Sequence, residues 1–143
     1  MDPQARQLFR IAVIAYTVGT LWVVAKVLVI GPGQLPDPAA AYLTWYLHQP
    51  QTPVETLGSW LGLAATVVSI VSAVALLFFT RWARAAFAGC IAILLLCELL
   101  LALPVLKTPS EYFVDSCLGV VAGGIVVLCY WSKVADSFDA KAT

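Results

Sequence analysis

The chain has 143 residues, 62% of them apolar and only 11% charged, with eight acids balanced by eight Lys and Arg. Soluble domains run near a quarter charged, so a soluble globular fold is excluded, and a neutral chain with no basic tract offers nothing to nucleic acid. Four apolar runs, about 9–30, 57–79, 85–106 and 112–131, each reach the roughly 20 helical residues that cross a bilayer core. The expectation is one all-α integral membrane domain over residues 1–143, a four-helix bundle running up-down-up-down.

The first run follows Arg6 and Arg10, as in a secretory signal. It is too long for one and no small-residue cleavage site follows, so it reads as an uncleaved first span. Thr17, Gly19 and Thr20 give it a small face suited to close helix contact. It stops at Gly31-Pro32-Gly33. In the external loop, 31–51, Asp37 reads as a helix N-cap and Pro38 as the first helical residue. A short interfacial helix over about 39–48 would hold Tyr42, Trp45 and Tyr46. Such aromatics suit either a membrane-interface anchor or a lid over the outer mouth of the bundle.

Thr52-Pro53-Val54-Glu55 is a capping box opening the second span, and Thr108-Pro109-Ser110-Glu111 opens the fourth in the same way. At that offset Glu55 matches Glu111 and Ser59 matches Asp115, which suggests two parallel helical hairpins. The second span passes Ser69 and Ser72 to Phe78-Phe79-Thr80. Arg81-Trp82-Ala83-Arg84 then reads as the whole connection to the third, which makes those two antiparallel neighbours. The third span is a leucine run with one carboxylate, Glu98, and stops at Pro104. A charge there is costly and usually faces protein rather than lipid. In the fourth, Gly119 and Gly123 form a small-xxx-small stripe for internal packing or a dimer contact. Tyr130-Trp131 closes it, and 132–143 reads as a short polar tail.

Arg6, Arg10, Arg81, Arg84, Lys133 and Lys141 collect on one side of these spans, so both termini are expected in the cytoplasm. The other side has only Lys107 as a base outside the spans, and the charged residues within the spans fall in one layer near it. Lys26 is about four residues from the outer end of its span, roughly 6 Å deep, and Glu98 and Asp115 are each about six residues in, roughly 9 Å. Ser59 comes to a similar level through the repeat. Facing inward together removes most of the cost of a few kcal/mol that each charge would incur against lipid. Lys26 is expected to pair with Glu98, with Asp115 beside them. The cluster is either a structural ion pair or a ligand or ion site.

The cysteines at 90, 97, 117 and 129 lack a Cys-x-x-Cys spacing and read as small packing residues. The lone His48 has no second histidine for a metal, and no cofactor motif is present. The segment Ala75 to Arg84, with its Phe-Phe ending and Arg-Trp-Ala-Arg, resembles a pattern of small four-span bacterial membrane proteins of uncharacterised function. Gly123-Gly124 and Tyr130-Trp131-Ser132 resemble the last helix of those proteins. The resemblance implies a bacterial inner-membrane location and carries over no activity. The leading expectation is a non-enzymatic accessory, regulatory or immunity-type protein. It would contact membrane lipids and either a membrane-protein partner or further copies of itself. The alternative is a small transporter or ligand-binding bundle using Lys26, Glu98, Asp115 and Ser59.

Overall fold

The computed structural model describes residues 3–29, 38, 41–42, 44–45, 48–50, 52–101, 109–132, 134–135 and 138. Four long helices make up nearly all of it: α1 (Pro3–Val29), α2 (Pro53–Leu76), α3 (Arg81–Leu101) and α4 (Pro109–Trp131). Three of them, over Gln4–Lys26, Pro53–Leu76 and Tyr112–Trp131, are long and apolar enough to cross a membrane. α3 carries Arg81, Arg84 and Glu98 in its described length, and the rest of the expected third run, 102–106, lies outside the described residues.

Each helix touches the next in the chain and α4 touches α1, with the slightest of these contacts between α3 and α4. Large side chains point outward: Trp60, Phe113 and Val120 are 67%, 69% and 78% exposed. Small and polar ones point inward on α2, where Gly58, Ala65, Ser69, Ser72 and Ala73 are buried. Water would penalise that distribution, whereas lipid favours it, because small residues let helices approach while large apolar ones face hydrocarbon.

α2 starts as its sequence dictates. Thr52 Oγ1 accepts from the Glu55 amide at 3.3 Å, and the Thr52 amide donates to Glu55 Oε2 at 2.7 Å. The matching cap at Thr108 lies outside the described residues, although α4 does begin at Pro109. In the segment between α1 and α2, Pro38, Ala41, Tyr42, Thr44 and Trp45 are helical; Asp37 and Tyr46 lie outside the described residues.

Two expectations are corrected. The link between α2 and α3 is Leu77-Phe78-Phe79-Thr80, and Arg81-Trp82-Ala83-Arg84 is the first turn of α3 rather than the connection. The cause is Phe79, whose φ of 54° lies in the left-handed region and ends α2 without a glycine. Thr80 Oγ1 donates back to the Ala75 carbonyl at 3.1 Å and closes the turn. Nor are the described residues after α4 a solvated polar tail. Val134 and Phe138, four positions apart, are 1% and 0% exposed.

Phe138 explains the second correction. Its ring packs against Phe9 at 6.1 Å and Phe79 at 5.3 Å, and Phe9 meets Phe79 at 5.6 Å. The start of α1, the α2–α3 turn and the segment after α4 therefore meet at one end, here called the arginine end. The continuous core runs from this cluster through Val13, Leu76, Phe87 and Ile125. It stops about halfway along the helices, at the Tyr16–Phe87 ring contact of 5.1 Å.

Candidate functional site

Beyond Tyr16 the four helices line a half-open cavity of about 500 Å³ rather than a packed core. All four contribute. Tyr16, Thr20, Val23 and Val24 recur at helical spacing, so they form one face of α1. Leu63 and Thr66 come from α2, Ile91, Leu94, Leu95 and Glu98 from α3, and Asp115, Leu118, Gly119, Ala122 and Gly123 from α4.

The floor is polar at one point. Tyr16 donates to Ser69 Oγ at 3.3 Å, and Ser69 in turn donates to the Thr66 carbonyl at 2.8 Å. The Thr66 hydroxyl is turned onto its own helix, donating to Gly62 at 2.9 Å. The walls are mostly apolar, with Thr20 and the two carboxylates as their polar members. Glu98 lies two helical turns from Ile91 and so shares its cavity-facing side; it is exposed, and Asp115 is half-buried. They stand on either side of the α3–α4 seam, where helix contact is slightest.

The α4 glycines leave that seam open. A methyl group added at Gly119, Gly123 or Gly124 would meet nothing within 4 Å. Their stripe therefore lines space and does not bring helices together. Close approach occurs at Gly19 instead, where an added Cβ would lie 2.6 Å from Leu118 Cδ2.

Among the four residues of the expected layer, Glu98 and Asp115 share this cavity. Lys26 and Ser59 are not among its described lining residues. Lys26 follows Trp22 by four positions, the spacing of a same-face pair, and its Nζ sits 5.5 Å from the centre of that ring. Ser59 is exposed and donates to the Glu55 carbonyl at 2.9 Å. The Tyr42 and Trp45 rings lie 5.7 Å apart on an exposed surface. His48 is also exposed, and its Nδ1 donates to the Thr44 carbonyl at 2.7 Å.

Cys90, Cys97, Cys117 and Cys129 are free thiols. Among the described residues no cluster of three His, Cys, Asp or Glu side chains is placed to hold a metal. No known family model matches the chain, and neither a curated protein nor a solved structure is significantly similar to it. The site is read from its own chemistry. The sequence reading missed Tyr16 and Thr66; their signal was present in the helical spacing of Tyr16 with Thr20 and of Thr66 with Ser69.

An apolar chamber of this size fits a small organic molecule, since ligand pockets run from roughly 300 to 1,000 Å³. Two acids from different helices on one apolar wall favour a positive group at their end. The Tyr16–Ser69 pair offers a hydroxyl at the other.

Proposed function

We propose that the chain is a multi-pass protein of the bacterial inner membrane that binds a small organic cation with an apolar body, without chemical change. The observation that carries this reading is that Glu98 and Asp115 line one mostly apolar cavity to which all four helices contribute. It favours the ligand-binding alternative over a purely accessory role. In this reading the helices form an up-down-up-down bundle, with α3 as its third span. The arginine end faces the cytoplasm, in keeping with the bias of Lys and Arg toward that side. The cavity then lies in the outer half of the bundle, beneath the external segment carrying Tyr42 and Trp45.

Charge discrimination tests this directly. Tetraphenylphosphonium and tetraphenylborate have nearly the same shape and opposite charge. The detergent-solubilised full chain should bind radiolabelled tetraphenylphosphonium saturably and tetraphenylborate at least about tenfold more weakly, a difference of about 1.4 kcal/mol. Glu98→Gln with Asp115→Asn should remove the preference. Gly123→Leu, filling space beside the acids, should abolish binding with no change in thermal unfolding. Equal binding of both ions, or binding untouched by the acid substitutions, would sink the proposal.

A further inference from the structure

Tyr16 stands at the border of two regions: it belongs to the packed core and it lines the cavity. We infer that it determines specificity there, admitting an N–H or O–H group of the ligand and rejecting a bare acceptor. The inference rests on the cavity being a cation site, and it names the second chemical feature of the molecule that site would take.

Proton counting carries the argument. A hydroxyl has one proton to donate and two lone pairs with which to accept. Ser69 Oγ lies 2.8 Å from the Thr66 carbonyl and 3.3 Å from the Tyr16 hydroxyl. A carbonyl cannot donate, so the shorter bond takes the Ser69 proton. The Ser69 oxygen is then left to accept, and the proton it receives is that of Tyr16. Thr66 Oγ1 places its own proton on the Gly62 carbonyl at 2.9 Å. Each of these three protons is therefore spent on the protein. What the Tyr16 and Thr66 oxygens keep for a ligand is lone pairs.

The chain does not reverse without loss. Turning the Tyr16 proton toward a ligand would strip Ser69 Oγ, which is fully buried, of its donor, so one bond would only replace another. The Tyr16 ring is also held edge-on against Phe87 at 5.1 Å, which keeps the hydroxyl over Ser69. A ligand donor adds a bond here and breaks none. A ligand acceptor either displaces Ser69 or sits lone pair against lone pair, and a buried polar group left unmatched costs more than a made bond contributes. Position fixes where the donor belongs. Glu98 follows Phe87 by about three helical turns on α3, and Phe87 marks the floor through its contact with Tyr16. The positive group and the donor therefore belong at opposite ends of the ligand.

The test compares two para-substituted derivatives of tetraphenylphosphonium on the detergent-solubilised full chain. One carries a hydroxymethyl group, which donates and accepts; the other carries its methyl ether, which only accepts. The alcohol should bind about fivefold or more tightly than the ether, the worth of one hydrogen bond. Tyr16→Phe should bring the two within about twofold of each other. Ser69→Ala releases the Tyr16 proton for the ligand, so it should strengthen ether binding by about threefold or more. A structural role for Ser69 would give the opposite, since loosened packing weakens binding. Equal affinity for alcohol and ether overturns the inference, as does a preference that survives Tyr16→Phe or ether binding that Ser69→Ala fails to strengthen. The cation reading is scored separately, by the preference for tetraphenylphosphonium over tetraphenylborate in the same preparation, and absence of that preference overturns both.

Discussion

Phe79 combines an unfavourable backbone with a favourable side chain, and substitution separates the two. Its φ of 54° places an L-residue in the left-handed region, at a cost of roughly 1–2 kcal/mol. Its ring is 4% exposed and touches Phe9 and Phe138, with Arg6 and Arg10 over it. Truncating a buried phenylalanine to alanine costs about 3–5 kcal/mol. Phe79→Ala loses the ring and keeps the strain, so it should destabilise by about 4 kcal/mol. Phe79→Gly loses the same ring and releases the strain. Against that release stands glycine's extra freedom in the unfolded chain, about 0.4–1 kcal/mol. The balance leaves Phe79→Gly more stable than Phe79→Ala by about 1 kcal/mol, the reverse of the order inside a helix. Reversible unfolding in a denaturing-detergent titration, read by helical circular dichroism, measures both. If alanine proves as stable as glycine or more so, the turn is not held in the left-handed region and the account of how α2 ends is wrong.

Two hydroxyls one helical turn apart should respond in opposite directions. Ser72 Oγ is buried with no hydrogen-bond partner among the described residues, so Ser72→Ala should be neutral or stabilising by up to about 1 kcal/mol. Ser69→Ala breaks two hydrogen bonds and should cost about 1 kcal/mol in the same unfolding titration. At Gly19, alanine gains about 0.8–1 kcal/mol of helix propensity, while turning Leu118 aside costs a similar 0.5–1.5 kcal/mol. Gly19→Ala should thus leave stability nearly unchanged. Because Leu118 lines the cavity, the displaced side chain should weaken tetraphenylphosphonium binding. A stability loss above about 2 kcal/mol would mean that Leu118 cannot move and the α1–α4 contact is rigid.

The parts of this fold legible in the sequence are those fixed by local chemistry. Each of the four apolar runs overlaps one helix, with ends that differ by up to six residues, and Thr52 with Glu55 announced the start of α2. The end of α2 was not legible. Nothing in Leu77-Phe78-Phe79-Thr80 advertises a left-handed residue, because phenylalanine enters that region only when tertiary packing holds it there. The burial of Phe138 was hidden for a related reason. Its neighbours Ser137 and Asp139 read as tail, and its value lies in two rings contributed from 59 and 129 residues earlier in the chain. Depth counting put Glu98 and Asp115 at one level, and they do share a cavity. Lys26 follows Trp22 by one helical turn, lies over that ring, and is not among the described lining residues. The Gly119–Gly123 stripe has the sequence of a contact surface and the surroundings of an opening. Spacing gives the face of a helix, and only the neighbouring helix decides whether that face is filled.

The contrast between the two ends suggests how stability and binding are divided. At the arginine end, three phenylalanine rings interlock and arginines close over them, so few side chains can change there without loss. Past Tyr16 the large aliphatic residues of the four helices stand around open space, and a Cβ at Gly119 or Gly123 would touch nothing. A chamber of that kind contributes little dispersion energy of its own, because lining atoms without partners gain none. It remains open because the packed half holds the helices in place. Lipid reinforces this. Collapse of the cavity would bury apolar surface already surrounded by hydrocarbon, and would therefore gain little of the hydrophobic driving force that closes voids in water. A binding chamber in one half of such a structure is thus inexpensive to keep, provided the other half is tightly closed. That is also why cavity substitutions such as Gly123→Leu should change binding while leaving unfolding alone, and Phe79 substitutions should do the opposite.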